Sequence, residues 1–260
     1  MEMVMEDGRW AGRNQDKDRI RQAVWSGLKE SGTSIGPAFS CIPNFAGADL
    51  AARNLARLPQ WRAANIVKCN PDPPQIPVRL RALYEGKIVY APVPELLKPF
   101  PFVRLDPDRL AKKGIQFELA ATSQGFVEHG EPVEFEDMEL LDFVVVGCVA
   151  VSRLGARTGK GGGFADLELG IFRELEKLKP DTPITTTVHS SQVVDNDRLV
   201  MMGHDSALHA IATETDLIET GTSFAQPRGV AWDEVQPDQY RDIPFLKTLR
   251  ARMETEGNQD

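Results

Sequence analysis

Cysteine is scarce in this 260-residue chain. Cys41, Cys69 and Cys148 are an odd number with no CxxC spacing. That pattern excludes a disulfide framework and a thiolate zinc site, and it reads as plain thiols in a reducing compartment. Long apolar runs are missing too: the longest, 143–151, is broken by Gly147 and is far too short to span a bilayer. The opening MEMVMEDGRW has no apolar core of signal-peptide length. No long basic block stands out, and the formal net charge is −8, which argues against a nucleic acid partner. These absences predict a cytoplasmic protein with no membrane and no nucleic acid partner; nothing in the sequence signals an oligomeric state.

What remains is an ordinary globular composition, 42% hydrophobic and 26% charged, long enough for one large α/β domain. Residues 1–14 are polar and read as a loose N-terminus. From Lys17, apolar residues at Ile20, Val24, Trp25 and Leu28 keep the rhythm of an amphipathic helix. A second helix, and a third after Pro59, follow. NIVKC reads as a buried strand, NPDPPQIP as a turn-rich loop, VRLRALYEG as a short helix and KIVYAPVP as a strand. GIQFELAA fits either a strand or a helical turn, and a loop is expected from Gly125 to Glu136. LLDFVVVGCVAV, apolar throughout, predicts one strand buried on both faces of a parallel sheet. FADLELGIFRELEKL is an amphipathic helix; ITTTVH and HAIATET are strands, and a last helix is expected around 243–253. Strands alternating with helices predict a Rossmann-like, mostly parallel open sheet over 15–220. A C-terminal extension, 221–260, would pack on it and end loosely.

The chemistry concentrates in SRLGARTGKGGGFADLELG, residues 152–170, with six glycines and three cations. A strand, a glycine-rich loop and a helix, in that order, aim backbone N–H groups and a helix dipole at one point. Arg153, Arg157 and Lys160 add donors suited to phosphate oxygens. The expected ligand is a polyphosphate. Asp166 beside it makes sense if Mg²⁺ bridges the two. The segment is neither a Walker A motif, since Lys160 is followed by Gly161, nor a GxGxxG fingerprint near the first strand.

Gly155, Arg157, Gly159, Gly161, Gly163 and Asp166 resemble the loop of the 5-formyltetrahydrofolate cyclo-ligase (methenyltetrahydrofolate synthetase) family. Two more motifs agree in order: Lys17 and Arg21 on the first helix, and Gln192 followed by His204, Asp205, Ile211, Thr213 and Glu214. The resemblance runs from about residue 15 to 220. It implies ATP and Mg²⁺ as cofactors and a reduced folate, 5-formyltetrahydrofolate, converted to 5,10-methenyltetrahydrofolate. By that resemblance Lys17, Arg21, Arg157, Gly159, Lys160, Gly161, Gly162, Gly163 and Phe164 would bind ATP. Arg157 and Lys160 would also serve catalysis by neutralising charge as the phosphoryl group moves, and Asp166 and Asp205 would hold the metal.

Several family positions are rewritten. The tyrosine pair after the glycines is Phe164 and Ala165, the acid before the loop is Ser152, and the second acid of the closing motif is His209. In the folate-facing loop, VKCNPDPPQIPVR, Asp72 replaces a glutamate and Gln75 a threonine. The rewritten words VKxxPDxP, GxGFADLE and TTVHxxQVV resemble a divergent, cyclo-ligase-like branch. Val67, Asp72, Gln75, Phe164 and His189 are the expected contacts of the second substrate. Lys68 is a candidate anchor for a carboxylate tail, and one of Arg79 and Arg81 could reach the site. The phosphate half is kept while the substrate half is changed. The alternatives are therefore a paralogue using ATP on another folate or a thiamine-pathway compound, and a non-catalytic nucleotide- or folate-binding protein.

Overall fold

The computed structural model describes residues 10–93 and 101–256. Most of the expected loose N-terminus and the final residues, 257–260, lie outside the described residues, as does the end of the KIVYAPVP strand. Helix α1 (Gln15–Glu30) begins where the Asn14 side chain accepts the Lys17 amide at 3.0 Å, satisfying an otherwise orphaned N–H. Its buried face carries Lys17, Arg21, Val24, Trp25 and Leu28, so two cations share one stripe with the apolar residues. Helices α2 (Ala48–Leu55), α3 (Pro59–Ala63), α4 (Ile76–Tyr84), α5 (Pro107–Lys112), α6 (Phe117–Ala120) and α7 (Ser123–His129) follow. Then come α8 (Phe164–Glu174), α9 (Pro237–Asp242) and α10 (Pro244–Glu256).

The strands are β1 (Ile66–Cys69), β2 (Ile88–Pro92), β3 (Phe102–Leu105), β4 (Glu131–Val133), β5 (Phe143–Val145) and β6 (Ala150–Ser152), then β7 (Arg157–Thr158), β8 (Ile184–Thr187), β9 (Val193–Val194), β10 (Ala210–Ala212) and β11 (Leu217–Glu219). Eight of them form one sheet in the order β11-β10-β8-β5-β1-β2-β3-β4. From β10 to β2 all neighbours are parallel; β11, β3 and β4 are antiparallel additions at the edges. This is the mostly parallel open α/β sheet expected. Successive side chains alternate between faces. Val67, Cys69, Phe143 and Val145 pack under α2–α7, whereas Val144 and Val146 pack with Leu169, Phe172, Leu246 and Leu249 of α8 and α10. A small sheet, β7-β6-β9, sits beside it and is covered by Val24, Trp25 and Leu28 of α1.

Several local expectations are corrected. LLDFVVVGCVAV is two strands, β5 in the large sheet and β6 in the small one. The break is at Gly147, where a Cβ would meet the Asp72 Oδ2 at 2.7 Å and Ile42 at 3.0 Å, so the chain turns out of the large sheet where only glycine fits. The proline-rich loop contains a 3-10 turn, Pro73–Gln75, and runs into α4, whose first turn tolerates Pro77 because its N–H would be unpaired there. Gly125–Glu136 is not a loop but α7 followed by β4. GIQFELAA takes the helical alternative, as α6. The segments β3, α5 and β11 went unread; each is six residues or fewer and lacks the continuous apolar or β-branched run that marks β5 and β8.

Candidate active site

The glycine segment is two devices rather than one. Gly155 (φ +92°) turns the β6–β7 hairpin against Leu208, whose carbonyl a Cβ would meet at 2.5 Å. It takes no part in the cavity, and Arg153 points away toward Asp216 at 3.9 Å. The cavity-facing part is 159–163, which runs from β7 into the N-terminus of α8. Gly161 (φ +112°) and Gly163 (φ +72°) adopt backbone conformations that favour glycine. Among the described residues, no protein acceptor takes the N–H groups of Lys160, Gly161, Gly162 or Gly163. Two of the segment's carbonyls, by contrast, are tied down. Gly159 O accepts Arg21 Nε at 2.7 Å, and Gly162 O accepts Arg13 Nη1 at 3.1 Å and Gln239 Nε2 at 2.9 Å. This segment lines a cavity of about 370 Å³.

Lys17, Arg21, Arg157, Lys160, Phe164, Asp166 and Asp205 line the same cavity. Most of these charges neutralise one another. Lys17 pairs with Asp205, whose Oδ2 also accepts the Met202 amide at 2.6 Å. Arg157 pairs with Asp166 and donates through Nε to Ser206 O at 2.9 Å, while the Ser206 amide donates to Asp166 Oδ1 at 2.8 Å. Burial alone would lower the Arg157 pKa, but Asp166, Cys148 and Asp205 outweigh it and raise it, so Arg157 stays charged. Arg21 pairs with Asp18 at 2.5 Å. Lys160 stands over the Trp10 ring at 5.3 Å, and among the described residues no carboxylate lies within ion-pair distance of it. The loop therefore presents one unpaired ammonium and a run of unpaired amides. Asp166 and Asp205 each bond protein donors through one oxygen, Oδ1 and Oδ2 respectively, and two carboxylates shared with phosphate oxygens suit Mg²⁺.

The cavity sits at the carboxyl ends of β1, β2 and β5, where strand order reverses about β1, the usual crevice of an open α/β sheet. Its other wall includes Asn70, Asp72, Ser123 and Glu168. Fully buried Arg79 does not reach the cavity. It donates to the carbonyls of Ala121 (2.8 Å), Pro71 (3.2 Å) and Asn70, and so fixes the loop that presents Asp72. Arg81 pairs with Glu85 instead, at 3.3 Å. Lys68 is sealed in the sheet, 2.5 Å from both Glu168 Oε2 and Asn70 Oδ1, so it cannot anchor a carboxylate tail. Burial raises the pKa of Asp72, opposed by Lys160 and Arg79, and that of Glu168, opposed by Lys68.

Three expected substrate contacts fall outside the cavity. Val67 alternates into the core beneath α2 and α4. Gln75 is fully buried and donates to Thr187 Oγ1 at 3.3 Å. His189 caps a 3-10 turn through the Ser191 amide at 3.1 Å and lies 3.4 Å from Glu214. Sequence reasoning missed Arg13, Glu168, Glu234 and Gln239. Only Glu168 left a signal, as an acid in the helical stripe that faces the sheet. Glu234 Oε2 lies 2.8 Å from His204 Nδ1, and His204 Nε2 lies 3.6 Å from Asp205.

Residues 13–214 match the 5-formyltetrahydrofolate cyclo-ligase family. Proteins named "Methenyltetrahydrofolate synthase domain-containing protein" from Bos taurus and Mus musculus are each 36% identical over 243 residues. That stretch is 93% of this chain but only 63% and 65% of theirs, so the chain spans about two thirds, or slightly less, of those relatives. The fold is similar to the solution structure of Aquifex aeolicus 5,10-methenyltetrahydrofolate synthetase, with a TM-score of 0.51 at 18% identity, over 80% of this chain and 95% of that one. With three motifs gathered on one crevice and the match spanning most of its length, the chain belongs to the 5-formyltetrahydrofolate cyclo-ligase family.

Proposed function

We propose that the protein closes the ring of 5-formyltetrahydrofolate to give 5,10-methenyltetrahydrofolate at the expense of ATP. The observation that carries this reading is the run of unpaired amides at 160–163, opening into α8 beside Lys160 and facing Asp72 across one cavity. The triphosphate would lie along those amides, with Lys160 supplying the charge that the paired cations cannot. The formyl oxygen attacks the γ-phosphorus; an O–P bond forms as the β,γ-bridging bond breaks and ADP leaves. N10 then attacks the activated formyl carbon, loses its proton, and phosphate departs with the former formyl oxygen. Mg²⁺, held by Asp166 and Asp205, would neutralise phosphate charge. No side-chain nucleophile is needed, so the protein works by alignment and electrostatics. A cytoplasmic location accompanies this reading: the cysteines are free, and among the described residues no helix is long and apolar enough to cross a membrane.

A second reading, a paralogue that uses ATP on a different small molecule, is favoured by one observation. Where the family resemblance implies a tyrosine pair the cavity wall carries Phe164 and Ala165, without a hydroxyl between them. One assay separates the two. Purified protein with MgATP and 5-formyltetrahydrofolate is expected to show the absorbance of the methenyl product with stoichiometric ADP. No product at high enzyme concentration overturns the first reading; ADP release with another added small molecule then supports the second.

A further inference from the structure

The family match ends at residue 214, yet one wall of the cavity, from Gly229 to Gln239, comes from beyond it. We infer that Gln239, reaching in from α9, is a positioning residue that sets the peptide planes of the phosphate loop. This rests on the reading of 159–163 as the triphosphate site. In a trans peptide the C=O and the following N–H point in opposite directions. Holding a carbonyl on one side therefore aims the next amide to the other. Gln239 Nε2 holds Gly162 O at 2.9 Å, assisted by Arg13 Nη1 at 3.1 Å, which fixes the direction of the Gly163 N–H. Arg21 Nε does the same one turn earlier, holding Gly159 O and so directing the Lys160 N–H. Both following residues have amides with no protein acceptor among the described residues.

Gln239 is placed to do this. It is buried, and its Oε1 accepts the Gln236 amide at 2.9 Å, which locks its rotamer. Its helix is tied to the N-terminal side of the site by the Arg13–Asp238 pair at 2.5 Å. The loop glycines have free rotation to lose, and a preset loop binds without that cost. The tail thus acts on nucleotide affinity through the loop without touching the chemistry.

Two variants test this by calorimetric titration with MgATP and with inorganic triphosphate, alongside melting temperatures without ligand. Gln239→Leu removes the donor. Gln239→Glu keeps the acceptor for Gln236 but can only repel Gly162 O, and it draws Arg13 away. Both variants are expected to bind MgATP and triphosphate about ten-fold more weakly or worse, by the same factor for each ligand, although Gln239→Leu, which also frees the Gln236 amide, should melt lower than Gln239→Glu, which keeps that contact. Wild-type binding with unaltered variants overturns the inference and leaves the loop reading standing. A loss of binding in Gln239→Leu alone, with Gln239→Glu binding like wild type, assigns Gln239 a general packing role and also overturns it. Wild-type protein that binds neither ligand overturns the loop reading itself.

Discussion

Lys160 and Arg157 look alike in the sequence and differ physically. Arg157 is buried against Asp166 and Cys148, and its charge is part of a closed network with Ser206. Lys160 stands over an indole with no carboxylate partner. Lys160→Ala should therefore weaken MgATP binding about 10- to 150-fold, the worth of one charge-assisted bond, with little change in stability. Arg157→Ala should cost about 3–5 kcal/mol of folding free energy, because it strands a part-buried carboxylate; urea unfolding and ATP titration of the two variants check the contrast. The cations of the site were legible because glycine spacing and charge are local signals. Lys68 was misread for the same reason: nothing near it in sequence reveals that Glu168, a hundred residues on, would cover it.

Among elements, the break between β5 and β6 is what builds the site. A continuous strand through 143–151 would carry β6 along the large sheet and away from β9. Apolar periodicity saw the valines and not the break, because a glycine inside a valine run carries no direction; only the close approach of Asp72 and Ile42 makes it obligatory. Elements with a full helical stripe, α1 and α8, were legible, whereas β3, β4 and α5 to α7 are short and depend on neighbours for their existence. Gly147→Ala should push the Asp72 carboxylate aside. We expect about 1–3 kcal/mol of destabilisation and a raised KM for the folate substrate, with the KM for ATP unchanged, as steady-state kinetics with each substrate varied will report.

For the whole molecule, an acidic protein lines one crevice with five of its 30 lysines and arginines and pairs four of those five, Arg13, Lys17, Arg21 and Arg157, with carboxylates. It also keeps two acids there at raised pKa, Asp72 and Glu168, both because burial penalises their charge. An acid whose pKa is raised on folding binds its proton more tightly in the native state. Its favourable contribution is full below the unfolded value of 3.8 for Asp72, and is lost as pH rises through the folded value. Asp72→Asn cannot titrate, so its stability relative to wild type should improve between pH 3.5 and pH 7, measured by urea unfolding at both. An unchanged difference across that range contradicts the burial of this carboxylate. The wall at 229–239 has one more consequence, for birth rather than for use. On the ribosome every parallel strand and the whole glycine segment emerge before α9, so a nascent chain that has already formed its sheet still has an open-sided, unset pocket. If 159–163 holds a triphosphate as proposed, nucleotide cannot guide the early steps of folding, and tight capture waits for α9 to arrive.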